Sequence, residues 1–426
     1  MNCAVAFAED DKARLDMLNQ SCFCMPLSRA VIDAAIVEDA GLTGFGGLLA
    51  DRPNLFAGTG VFLASLDLDA MLEQIHAIET AVRLPDYQCA ALAESDREVI
   101  EVQANTQGLF MGYDFHITPE GPRLIEINTN AGGAFLVHAL DRAAEHAGIP
   151  GHTPFAPGNF ERRVVETLLS EWRLAGRTGA PATLAIIDDA PGAQYLYPDI
   201  LLAKRVFEQA DIDTMIVDAA ELTSGAQGLT ANGRKIDMVY NRLTDFALVD
   251  TVSHAVRDAL ARDQVVLTPS PRHHALYADK RNLVRLTNPD QLKGWGLTNH
   301  HVRALEQLPE TIDVTAETAD AAWANRKRLF FKPAAGFGGR AAYRGDKLTR
   351  KVWADILASD YIAQTYVSPS SRCVATHTGD RTLKYDLRVY TYAGDPLLLG
   401  ARVYQGQTTN FRTEGGGFAP VIVSYD

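Results

Sequence analysis

A hairpin-like stretch at residues 112–133 constrains this chain more than any other segment. Residues 110–117 and 123–128 have the alternating pattern of strands, and Thr118-Pro-Glu-Gly-Pro122 between them has the residues of a tight turn. Because side chains alternate between the two faces of a strand, such a hairpin gathers every second side chain on one surface. The pattern therefore predicts two short antiparallel strands with one polar face.

The polar face of this hairpin carries hard oxygen ligands. Glu126, Asn128 and Asn130 project one way, and the turn folds Asp114 of the preceding strand back beside Glu126. Such a set suits Mg²⁺, which takes one or two carboxylates and completes its shell with substrate phosphates. A solvent-facing hairpin that is merely polar is the alternative, but a buried strand seldom carries Glu and Asn on one face without a partner. The pattern therefore predicts metal ligands on this face.

The composition is that of an ordinary globular protein, with 47% hydrophobic and 22% charged residues over 426 positions. A chain of this length has room for roughly two or three domains. The net charge of −13, from 40 basic and 53 acidic residues, argues against a general binder of nucleic acids or anionic membranes. We therefore expect neither nucleic acid nor membrane among its partners, although a local basic pocket is compatible with the charge.

The cysteines and the N-terminus indicate a cytoplasmic protein. The five cysteines are odd in number and scattered, which fits reduced thiols better than a disulfide framework. Cys22-Phe-Cys24 is at most half of a metal site, because no second pair follows at ligand spacing, so zinc is not expected. The N-terminus lacks a basic region, and Glu9-Asp10-Asp11 interrupts its apolar run, unlike a signal peptide. No run of about 18 apolar residues predicts a membrane span.

The region up to residue 95 is predicted to be mainly helical with loops. Residues 68–82 carry apolar side chains at helical spacing. Beyond the hairpin, residues 135–147 and 159–174 have the pattern of amphipathic helices. None of these segments carries a motif with recognisable chemistry.

After a linker at residues 177–181, the pattern changes to strands alternating with helices. The predicted strands are residues 182–187, 214–217, 235–240 and 265–267, and the predicted helices are residues 198–210 and 251–262. This alternation predicts a parallel sheet with crossover helices, in which ligands lie at the carboxyl ends of the strands. Arg242 follows one such end, where it either contacts a substrate carboxylate or forms a structural ion pair. No Gly-x-Gly-x-x-Gly follows the first strand, which disfavours a nicotinamide cofactor.

A second informative segment joins a lysine to a glycine-rich loop. An apolar strand ends in Lys332, and Gly336, Gly338 and Gly339 follow it. Glycine lets backbone N–H groups approach phosphate oxygens closely, and Lys332 adds a point charge, although no Walker A sequence closes the loop. A plain turn after a strand is the alternative. In this context the segment predicts a phosphate-binding loop.

The strands after this loop carry further groups that suit a nucleotide. Gln364, Tyr366 and Val367 belong to a strand segment suited to an adenine hinge, and Arg388 and Arg402 fall on two adjoining strands. The closing glycine-rich segment contributes Asn410, Gly415 and Gly416. Buried strand arginines and plain glycine turns are the structural alternatives for these residues. Their occurrence together in this order favours a nucleotide site.

Taken together, these motifs resemble the ATP-grasp superfamily, which contains glutathione synthetase and D-alanine–D-alanine ligase. The resemblance covers about residues 100–133 and 325–420, and the α/β region before Lys280 resembles the substrate domain that precedes the grasp in this family. It implies that ATP contacts Lys280, Lys332, Gly336, Gly338, Gly339, Gln364, Tyr366 and Val367. It implies that the catalytic residues, which hold transferred phosphate, are Lys332, Arg388 and Arg402.

The same resemblance assigns the metal and substrate sites. It implies that the metal ligands are Asp114, Glu126 and Asn128. It implies that the substrate-binding residues are Asn130, Gly132, Gly133, Arg242, Asn410, Gly415 and Gly416. The implied cofactors are ATP and two Mg²⁺ ions, for which Mn²⁺ is a possible substitute.

The order of the motifs departs from that of the family. In the family the lysine loop precedes the Glu-x-Asn strand, whereas here Glu126 comes long before Lys332. Circular permutation is the simplest account, since surface loops tolerate relocated termini, and it predicts that Asp426 lies near residues 95–105. The expected fold class is α/β (α+β), a circularly permuted ATP-grasp fold with a Rossmann-like domain in the middle of the chain. The expected parts are a helical region (1–95), the metal-binding part of the grasp with connecting helices (96–178), the Rossmann-like substrate domain (179–290) and the nucleotide-binding lobes (291–426).

The resemblance implies an ATP-dependent carboxylate–amine ligase that forms a peptide or peptide-like amide through an acyl phosphate, with ADP and phosphate as products. A phosphotransferase acting on a small-molecule hydroxyl and a non-catalytic nucleotide-binding protein are the alternatives. The implied partners are a small carboxylate and a small amine, and a homodimer is left open.

Overall fold

The fold is given by a computed structural model that describes residues 3–21, 29–147, 155, 159–336, 339, 341–376 and 379–424. Its helices are α1 (Cys3–Gln20), α2 (Arg29–Ala40), α3 (Phe45–Ala50), α4 (Ser65–Val82), α5 (Pro85–Leu92), α6 (Arg97–Ile100), α7 (Ala134–His146), α8 (Phe160–Leu174), α9 (Tyr197–Gln209), α10 (His254–Ala261), α11 (Pro271–His273), α12 (Arg281–Leu286), α13 (Pro289–Gly294), α14 (Asn299–Leu305), α15 (Ala319–Asn325) and α16 (Arg350–Leu357). Its strands are β1 (Val61–Ala64), β2 (Met111–Thr118), β3 (Gly121–Asn128), β4 (Thr183–Asp188), β5 (Asp213–Asp218), β6 (Leu222–Gly225), β7 (Gly228–Ala231), β8 (Arg234–Ile236), β9 (Met238–Asn241), β10 (Val266–Thr268), β11 (Thr311–Asp313), β12 (Leu329–Pro333), β13 (Tyr343–Arg344), β14 (Tyr361–Thr365), β15 (Ser370–Thr376), β16 (Gly379–Tyr392), β17 (Asp395–Tyr404), β18 (Gly417–Ala419) and β19 (Val421–Ser424).

The largest sheet is built from two distant parts of the chain. Its strand order is β18–β17–β16–β2–β3, and β15 also pairs with β16. The bounds of β2 and β3 confirm the predicted hairpin. The hairpin lies antiparallel beside β16, so that Asp114 faces Arg388 and Phe115 faces Leu387. Motifs that are far apart in the sequence are therefore neighbours in one sheet.

A β-bulge interrupts the hairpin next to its carboxylates. Strand β3 has one more residue than β2 just beyond the Asp114–Glu126 pair, and the extra residue is Ile125. A bulge leaves one residue outside the ladder and redirects its backbone groups. Here the carbonyl oxygen of Ile125 accepts a hydrogen bond from Lys332 Nζ at 2.7 Å. The bulge thus connects the hairpin to the strand that precedes the glycine-rich loop.

That strand belongs to a second antiparallel sheet, with the order β11–β14–β12–β13. One face packs on α15 and α16 through a small core that includes Phe331, Trp353 and Ile356. Side chains alternate along β12, so Lys332 points away from this core while Phe331 points into it. Gln364 lies beside it on β14 and is also buried. The sheet therefore presents a lysine and an amide on its other face.

The predicted Rossmann-like region contains the expected parallel sheet, with the order β10–β9–β4–β5. The predicted strand at residues 235–240 is wrong in one respect, because it is two strands, β8 and β9. Strand β8 joins the separate antiparallel sheet β6–β7–β8, and only β9 enters the parallel sheet. Strands β6 and β7 have four residues each, which is too short for an alternating pattern to predict them.

The N-terminal region is mainly helical, as predicted, but it also contains β1. This strand pairs in parallel with β19, near the end of the chain. Helix α6 lies in another part of the core, with residues of the parallel sheet such as Ala185. Asp426, Cys22 and Cys24 lie outside the described residues. None of the helices listed above is both long enough and apolar enough to cross a membrane.

Candidate active site

A cavity of about 370 Å³ is lined by residues of both antiparallel sheets. The predicted site residues that line it are Asp114, Glu126, Asn128, Lys332, Gly339, Gln364, Tyr366, Val367, Arg388 and Arg402. They belong to β2, β3, β12, β14, β16 and β17 or to the loops that follow these strands. The structure therefore brings the predicted metal ligands, the catalytic residues and most of the predicted nucleotide residues to one place, whereas Lys280 and Gly336 do not line the cavity.

Asp114 is the centre of a buried network of charges. Arg388 donates to both of its carboxylate oxygens, from Nε to Oδ1 at 2.6 Å and from Nη2 to Oδ2 at 2.7 Å. Arg402 Nη2 lies 2.8 Å from Oδ2, and Asn128 Nδ2 donates to the same oxygen at 3.1 Å. Burial acts to raise the pKa of Asp114, but the two guanidinium groups outweigh it and lower that pKa. Asp114 is therefore an ionised carboxylate that positions both predicted catalytic arginines.

Arg402 has a second carboxylate partner that the sequence reasoning missed. Its Nε donates to Asp386 Oδ1 at 2.6 Å, and Thr409 Oγ1 donates to the other oxygen of Asp386. Asp386 lies two residues before Arg388 on β16, so both side chains are on the same face of the strand. That spacing was the signal that would have predicted Asp386. This hydrogen bond connects the loop that contains Thr409 to strand β16, and both residues line the cavity.

Glu126 has a different environment from Asp114, although the two are paired across the hairpin. Its Oε1 lies 3.1 Å from Lys280 Nζ, and its side chain is 30% exposed. Lys280 Nζ also donates to the carbonyl oxygen of Gly336 in the glycine-rich loop, at 2.6 Å. Burial acts to raise the pKa of Glu126, but Lys280 and Lys332 outweigh it, so the pKa is lowered. Glu126 is therefore ionised and accessible from the cavity.

Lys332 is almost completely buried and has two hydrogen-bond acceptors. Besides Ile125, it donates to Gln364 Oε1 at 2.9 Å. Burial lowers the pKa of Lys332 to about 8, and the attraction of Glu126 only partly compensates. The lysine therefore titrates close to neutral pH, where the arrival of an anion would favour its charged form.

The donor set fits an Mg²⁺ ion that arrives with polyphosphate, and it does not fit a metal held by the protein alone. Within the described residues, no group of three or more His, Cys, Asp and Glu side chains is placed to hold a metal ion. Mg²⁺ typically uses one or two carboxylates together with phosphate oxygens. Glu126 and Asn128 face the cavity, whereas both oxygens of Asp114 are occupied by arginines. Metal binding by Asp114 stays a prediction, and it would require an arginine to move away.

The predicted substrate residues near the parallel sheet make contacts within the protein. Arg242 Nη1 lies 3.0 Å from Asp199 Oδ2, and both side chains are buried. Asp199 also accepts from the backbone N–H of Gly133 and of Phe135. Of the two alternatives for Arg242, the structure therefore shows the ion pair, which supports the start of α7. Asn130 Nδ2 donates to backbone oxygens of the loop after β9.

Gly132 and Gly133 lie where the surrounding atoms leave no room for a side chain. A Cβ atom on Gly133 would lie 2.2 Å from the ring of Phe418, and one on Gly132 would lie 2.8 Å from Arg242 Nη2. Gly133 also has a φ of 94°, a conformation that other residues rarely adopt. Substrate binding by Gly132 and Gly133 stays a prediction.

The predicted substrate residues near the end of the chain organise their own loop. Asn410 donates to the carbonyl oxygen of Gln405 at 2.7 Å and accepts from the backbone N–H of Arg412 at 3.0 Å. Gly416 lies so close to Thr413 and the backbone of β17 that a Cβ atom would clash. Substrate contacts by Asn410, Gly415 and Gly416 stay predictions, and Gly338 lies outside the described residues.

By sequence, the chain matches no protein-family model and no curated protein. By structure, it is similar to a glutathione synthetase-like effector (GSS30) from Globodera pallida, with a TM-score of 0.55 and 13% identity over 91% of this chain and 97% of that one. A putative gamma-glutamylcysteine synthetase from Methylobacillus flagellatus KT aligns over 82% of this chain and 84% of its own, with a TM-score of 0.47 and 11% identity. The ATP-grasp ligase PsnB, complexed with minimal precursor, aligns over 51% of this chain and 90% of its own, with a TM-score of 0.28 and 14% identity.

The similarity to the Globodera protein extends over nearly the whole of both chains. This chain therefore has the fold of this glutathione synthetase-like protein, in agreement with the resemblance of its motifs to the ATP-grasp superfamily.

Proposed function

We propose that this protein is an ATP-dependent ligase that joins a small carboxylate to a small amine through an acyl phosphate. The observation that carries the proposal is the convergence of Lys332, Glu126 and two arginines in one cavity, from strands that are distant in the sequence. A cavity with cations from one sheet and carboxylate-anchored arginines from the other suits a polyphosphate better than a neutral ligand. The ATP-grasp fold is in accord with this use.

The residues proposed to bind the nucleotide lie on the sheet β11–β14–β12–β13 and on the loops beside it. Lys332 supplies a positive charge, and the segment from Gln364 to Val367 lines the same cavity. Lys280 lies between Glu126 and the glycine-rich loop, where it contacts both. A phosphate that entered here would offer these lysines an acceptor in place of carbonyl oxygens and a carboxylate. Lys280 and Lys332 are therefore proposed as phosphate ligands.

Glu126 and Asn128 would hold Mg²⁺ when it arrives with the nucleotide. An Mg²⁺ ion held by these two residues would supply positive charge against the negative charge that develops during phosphoryl transfer. Glu126 must then release Lys280, which remains free to contact phosphate. Asn128 keeps its carbonyl oxygen for the ion, because its amide nitrogen donates to Asp114.

Arg388 and Arg402 are proposed to stabilise the transferred phosphoryl group. Their positions are fixed before any ligand binds, because Asp114 and Asp386 hold both guanidinium groups against the sheet. Groups that are already oriented need no reorganisation when charge develops, and such preorganisation is commonly the largest electrostatic contribution to catalysis. Two neighbouring arginines would otherwise repel each other, so Asp114 makes the pair possible.

The proposed reaction has two steps. A carboxylate oxygen of the first substrate attacks the γ-phosphorus of ATP, and the bond to the ADP oxygen breaks. The amine nitrogen of the second substrate then attacks the carbonyl carbon of the acyl phosphate, phosphate leaves with the C–O electron pair, and the nitrogen loses a proton. The first step is needed because a free carboxylate is a poor electrophile. The work of the protein is positioning and charge neutralisation.

The test measures ADP and free phosphate with pools of amino acids and short peptides as carboxylates and amines, in the presence of ATP and Mg²⁺. The proposal expects ADP release that requires a carboxylate and an amine together, with phosphate released in equal amount. Glu126→Gln should lower this activity by about a hundred-fold or more, while Glu306→Gln, which changes an exposed glutamate elsewhere, should retain it. Release of ADP with a phosphorylated hydroxyl compound and no free phosphate would instead show a phosphotransferase. ATP binding without ADP release under any combination would overturn the proposal.

A further inference from the structure

A buried glutamate of the N-terminal region accepts hydrogen bonds from two tyrosines on different elements. Glu79 lies on α4 and is 2% exposed. The hydroxyl group of Tyr113 donates to its Oε1, and the hydroxyl group of Tyr277 donates to its Oε2, both at 2.8 Å. Burial raises the pKa of both phenols far above its ordinary value, and Glu79 adds to the shift, so both hydroxyl groups keep their protons. Glu79 therefore joins two donors at one point.

The stability of the core alone does not account for this carboxylate. Its ion-pair partner, Arg83, lies 3.9 Å away and has a side chain that is 59% exposed, and such pairs contribute little. Burial acts against the charged form and raises the pKa of Glu79. Moving a carboxylate out of water is costly, and well-packed apolar residues are often at least as stable in its place. Its two hydrogen bonds therefore indicate a role other than stability.

The first tyrosine belongs to the hairpin of the candidate active site. Tyr113 directly precedes Asp114 on β2 and is paired with Ile127 of β3, which directly follows Glu126. Side chains alternate along a strand, so Tyr113 points to the opposite face from Asp114, where α4 packs on the hairpin. Glu79 is therefore attached to the back of the strands that carry the two carboxylates.

The second tyrosine belongs to the segment that ends at Lys280. Tyr277 is part of a π-helical turn at His274–Ala278, and such turns are frequent at functional sites. The backbone N–H of Lys280 donates to the carbonyl oxygen of Ala334 at 3.0 Å, at the start of the glycine-rich loop. Its Nζ contacts both that loop and Glu126, as described above. Lys280 therefore makes these contacts only when its segment lies at a fixed distance from the hairpin.

We propose that Glu79 is a positioning residue that places Lys280 for contact with phosphate, because it fastens Tyr277 to Tyr113. This inference rests on the proposed role of Lys280 as a phosphate ligand. A charge that is held in place before the ligand arrives needs no reorganisation when the ligand binds. Without Glu79, the nucleotide itself would have to order Lys280, and the entropy lost in that ordering would weaken binding.

The segment before Lys280 has further anchors, which limit the effect of losing Glu79. Tyr87 donates to the carbonyl oxygen of Leu276 at 3.1 Å, and Asn282 donates to that of Ala275 at 2.8 Å. The segment should therefore loosen without unfolding when the contact with Glu79 is removed. A moderate loss of nucleotide affinity is the expected effect.

Calorimetry of ATP binding in the presence of Mg²⁺ tests the proposal with three variants. Glu79→Leu removes both acceptors, and Tyr277→Phe removes one hydroxyl group but keeps the ring, so each should bind ATP roughly three- to ten-fold more weakly than the wild type. Glu79→Gln should stay within a factor of about two, because its amide accepts from one hydroxyl group and donates to the other. A loss for Glu79→Gln as large as that for Glu79→Leu would contradict the proposal. If Glu79→Leu fails to fold, Tyr277→Phe still decides the question.

A double-mutant cycle separates positioning from general destabilisation. Lys280→Met should weaken ATP binding by about ten- to a hundred-fold, because a charge-assisted contact with phosphate is lost. Adding Tyr277→Phe to Lys280→Met should then change the affinity by less than about two-fold, since the tyrosine acts through the lysine. A purely structural role of Tyr277 would give the same loss with and without Lys280.

The matched control is Tyr392→Phe. Tyr392 donates to Glu171, another buried glutamate, at 2.9 Å, and neither residue lines the cavity. This variant also removes one hydroxyl group from a buried carboxylate, but it should bind ATP as the wild type does. An equal loss for Tyr392→Phe and Tyr277→Phe would show a general effect on stability and would contradict the positioning role.

The outcomes distinguish this inference from the proposed function. Unchanged affinity of both Tyr277→Phe and Glu79→Leu would overturn the positioning role and leave an ATP-dependent ligase standing. The expected pattern of affinities without ADP formation would overturn the ligase and support the positioning role. Unchanged affinity of Lys280→Met would overturn the phosphate contact of Lys280 and this inference with it, and a wild-type protein that does not bind ATP would overturn both proposals.

Discussion

Arg388 and Asp114 form a two-point ion pair on adjacent strands, with both carboxylate oxygens accepting at 2.6 and 2.7 Å. The neighbouring carboxylate, Glu126, has a single ion pair at 3.1 Å and a side chain that is 30% exposed. Asp114 therefore has a structural role in the hairpin, while Glu126 is available to a ligand. This difference makes the two carboxylates distinguishable by substitution.

Asp114→Asn should destabilise the protein strongly. The change keeps the size of the side chain but leaves Arg388 without its charged partner and leaves Arg402 with Asp386 alone. Removing one partner of a buried ion pair costs about 3–5 kcal/mol, so the free energy of unfolding in urea should fall by about that amount. The matched control is Asp213→Asn, which removes a carboxylate that is 55% exposed and pairs with Arg234, and which should cost less than about 1 kcal/mol. Equal losses for the two variants would contradict the structural role of Asp114.

Glu126→Gln should show the opposite pattern. The free energy of unfolding should change by less than about 1 kcal/mol, because the side chain is partly exposed and its loss leaves Lys280 with the oxygen of Gly336. Turnover should fall by about a hundred-fold or more, because the proposed metal ligand loses its charge. Urea unfolding and steady-state ADP release measure the two quantities. Turnover within a factor of about three of wild type would exclude Glu126 as a metal ligand.

The local pattern of the sequence predicted the parts of the site that depend on strand alternation. Asp114, Glu126 and Asn128 were placed on one face of a hairpin, and that hairpin was found with nearly the predicted bounds. His116, which also lines the cavity, is on the same face of β2, so the same rule would have placed it there. The bulge at Ile125 could not, because it depends on how β2 and β3 align, which alternation alone does not determine.

Some contacts of the predicted site residues depend on tertiary packing that the sequence does not reveal. Arg242 could face a substrate or an acid, and its partner Asp199 is on α9, at a distance in sequence that no local pattern covers. Gly133 was assigned to a substrate loop, but its lack of a side chain also makes room for Phe418 from β18. Such roles depend on which elements pack together, so they require the fold.

The inverted order of the motifs stays an interpretation. Strands β2 and β3 complete a sheet whose other strands come from residues 370–419, as a relocated hairpin would. Strand β19 pairs with β1, so the end of the described chain is joined to the N-terminal region. We keep circular permutation and the four domain boundaries as proposals.

Arg242→Met should act on stability and not on substrate affinity. Its loss leaves the buried Asp199 without a cation, although three backbone N–H groups still donate to that carboxylate. We expect the free energy of unfolding to fall by about 3 kcal/mol and the KM for the carboxylate substrate to stay within a factor of about two. Urea unfolding and steady-state kinetics at saturating ATP measure both. A ten-fold rise in KM without loss of stability would restore the substrate role of Arg242.

Lys332→Met should weaken nucleotide binding more than it affects the fold. Methionine keeps much of the aliphatic stem and removes the charge. A charge-assisted hydrogen bond contributes about 1.5–3 kcal/mol, so ATP should bind about ten- to a hundred-fold more weakly by calorimetry. Lys293→Met, at an exposed lysine of α13, is the matched control and should bind ATP as the wild type does. Unchanged affinity of Lys332→Met would show that this lysine has no phosphate contact.

The titration of Lys332 gives a prediction about pH. Its pKa is about 8 in the folded protein and 10.5 ordinarily, so between these values the unfolded chain binds more protons. The burial penalty of the charged lysine is therefore relieved as pH rises through this window, and the stability of wild type relative to Lys332→Met should rise with it. Urea unfolding of both proteins at several pH values measures the difference. A relative stability that falls between pH 8 and 10.5 would contradict the assigned pKa.

Nucleotide binding should raise the pKa of Lys332 again, because a polyphosphate stabilises the charged form of the lysine. Binding at a pH just above 8 should then take up protons, and ATP affinity should decrease as the pH rises further. Calorimetry in two buffers with different ionisation enthalpies measures the protons taken up. At pH 6.5 Lys332 is already charged, so it contributes no uptake there, and Lys332→Met should lack the uptake at every pH. Proton uptake by wild type and Lys332→Met that is equal above pH 8 would show that another group titrates, and it would remove Lys332 from the nucleotide site.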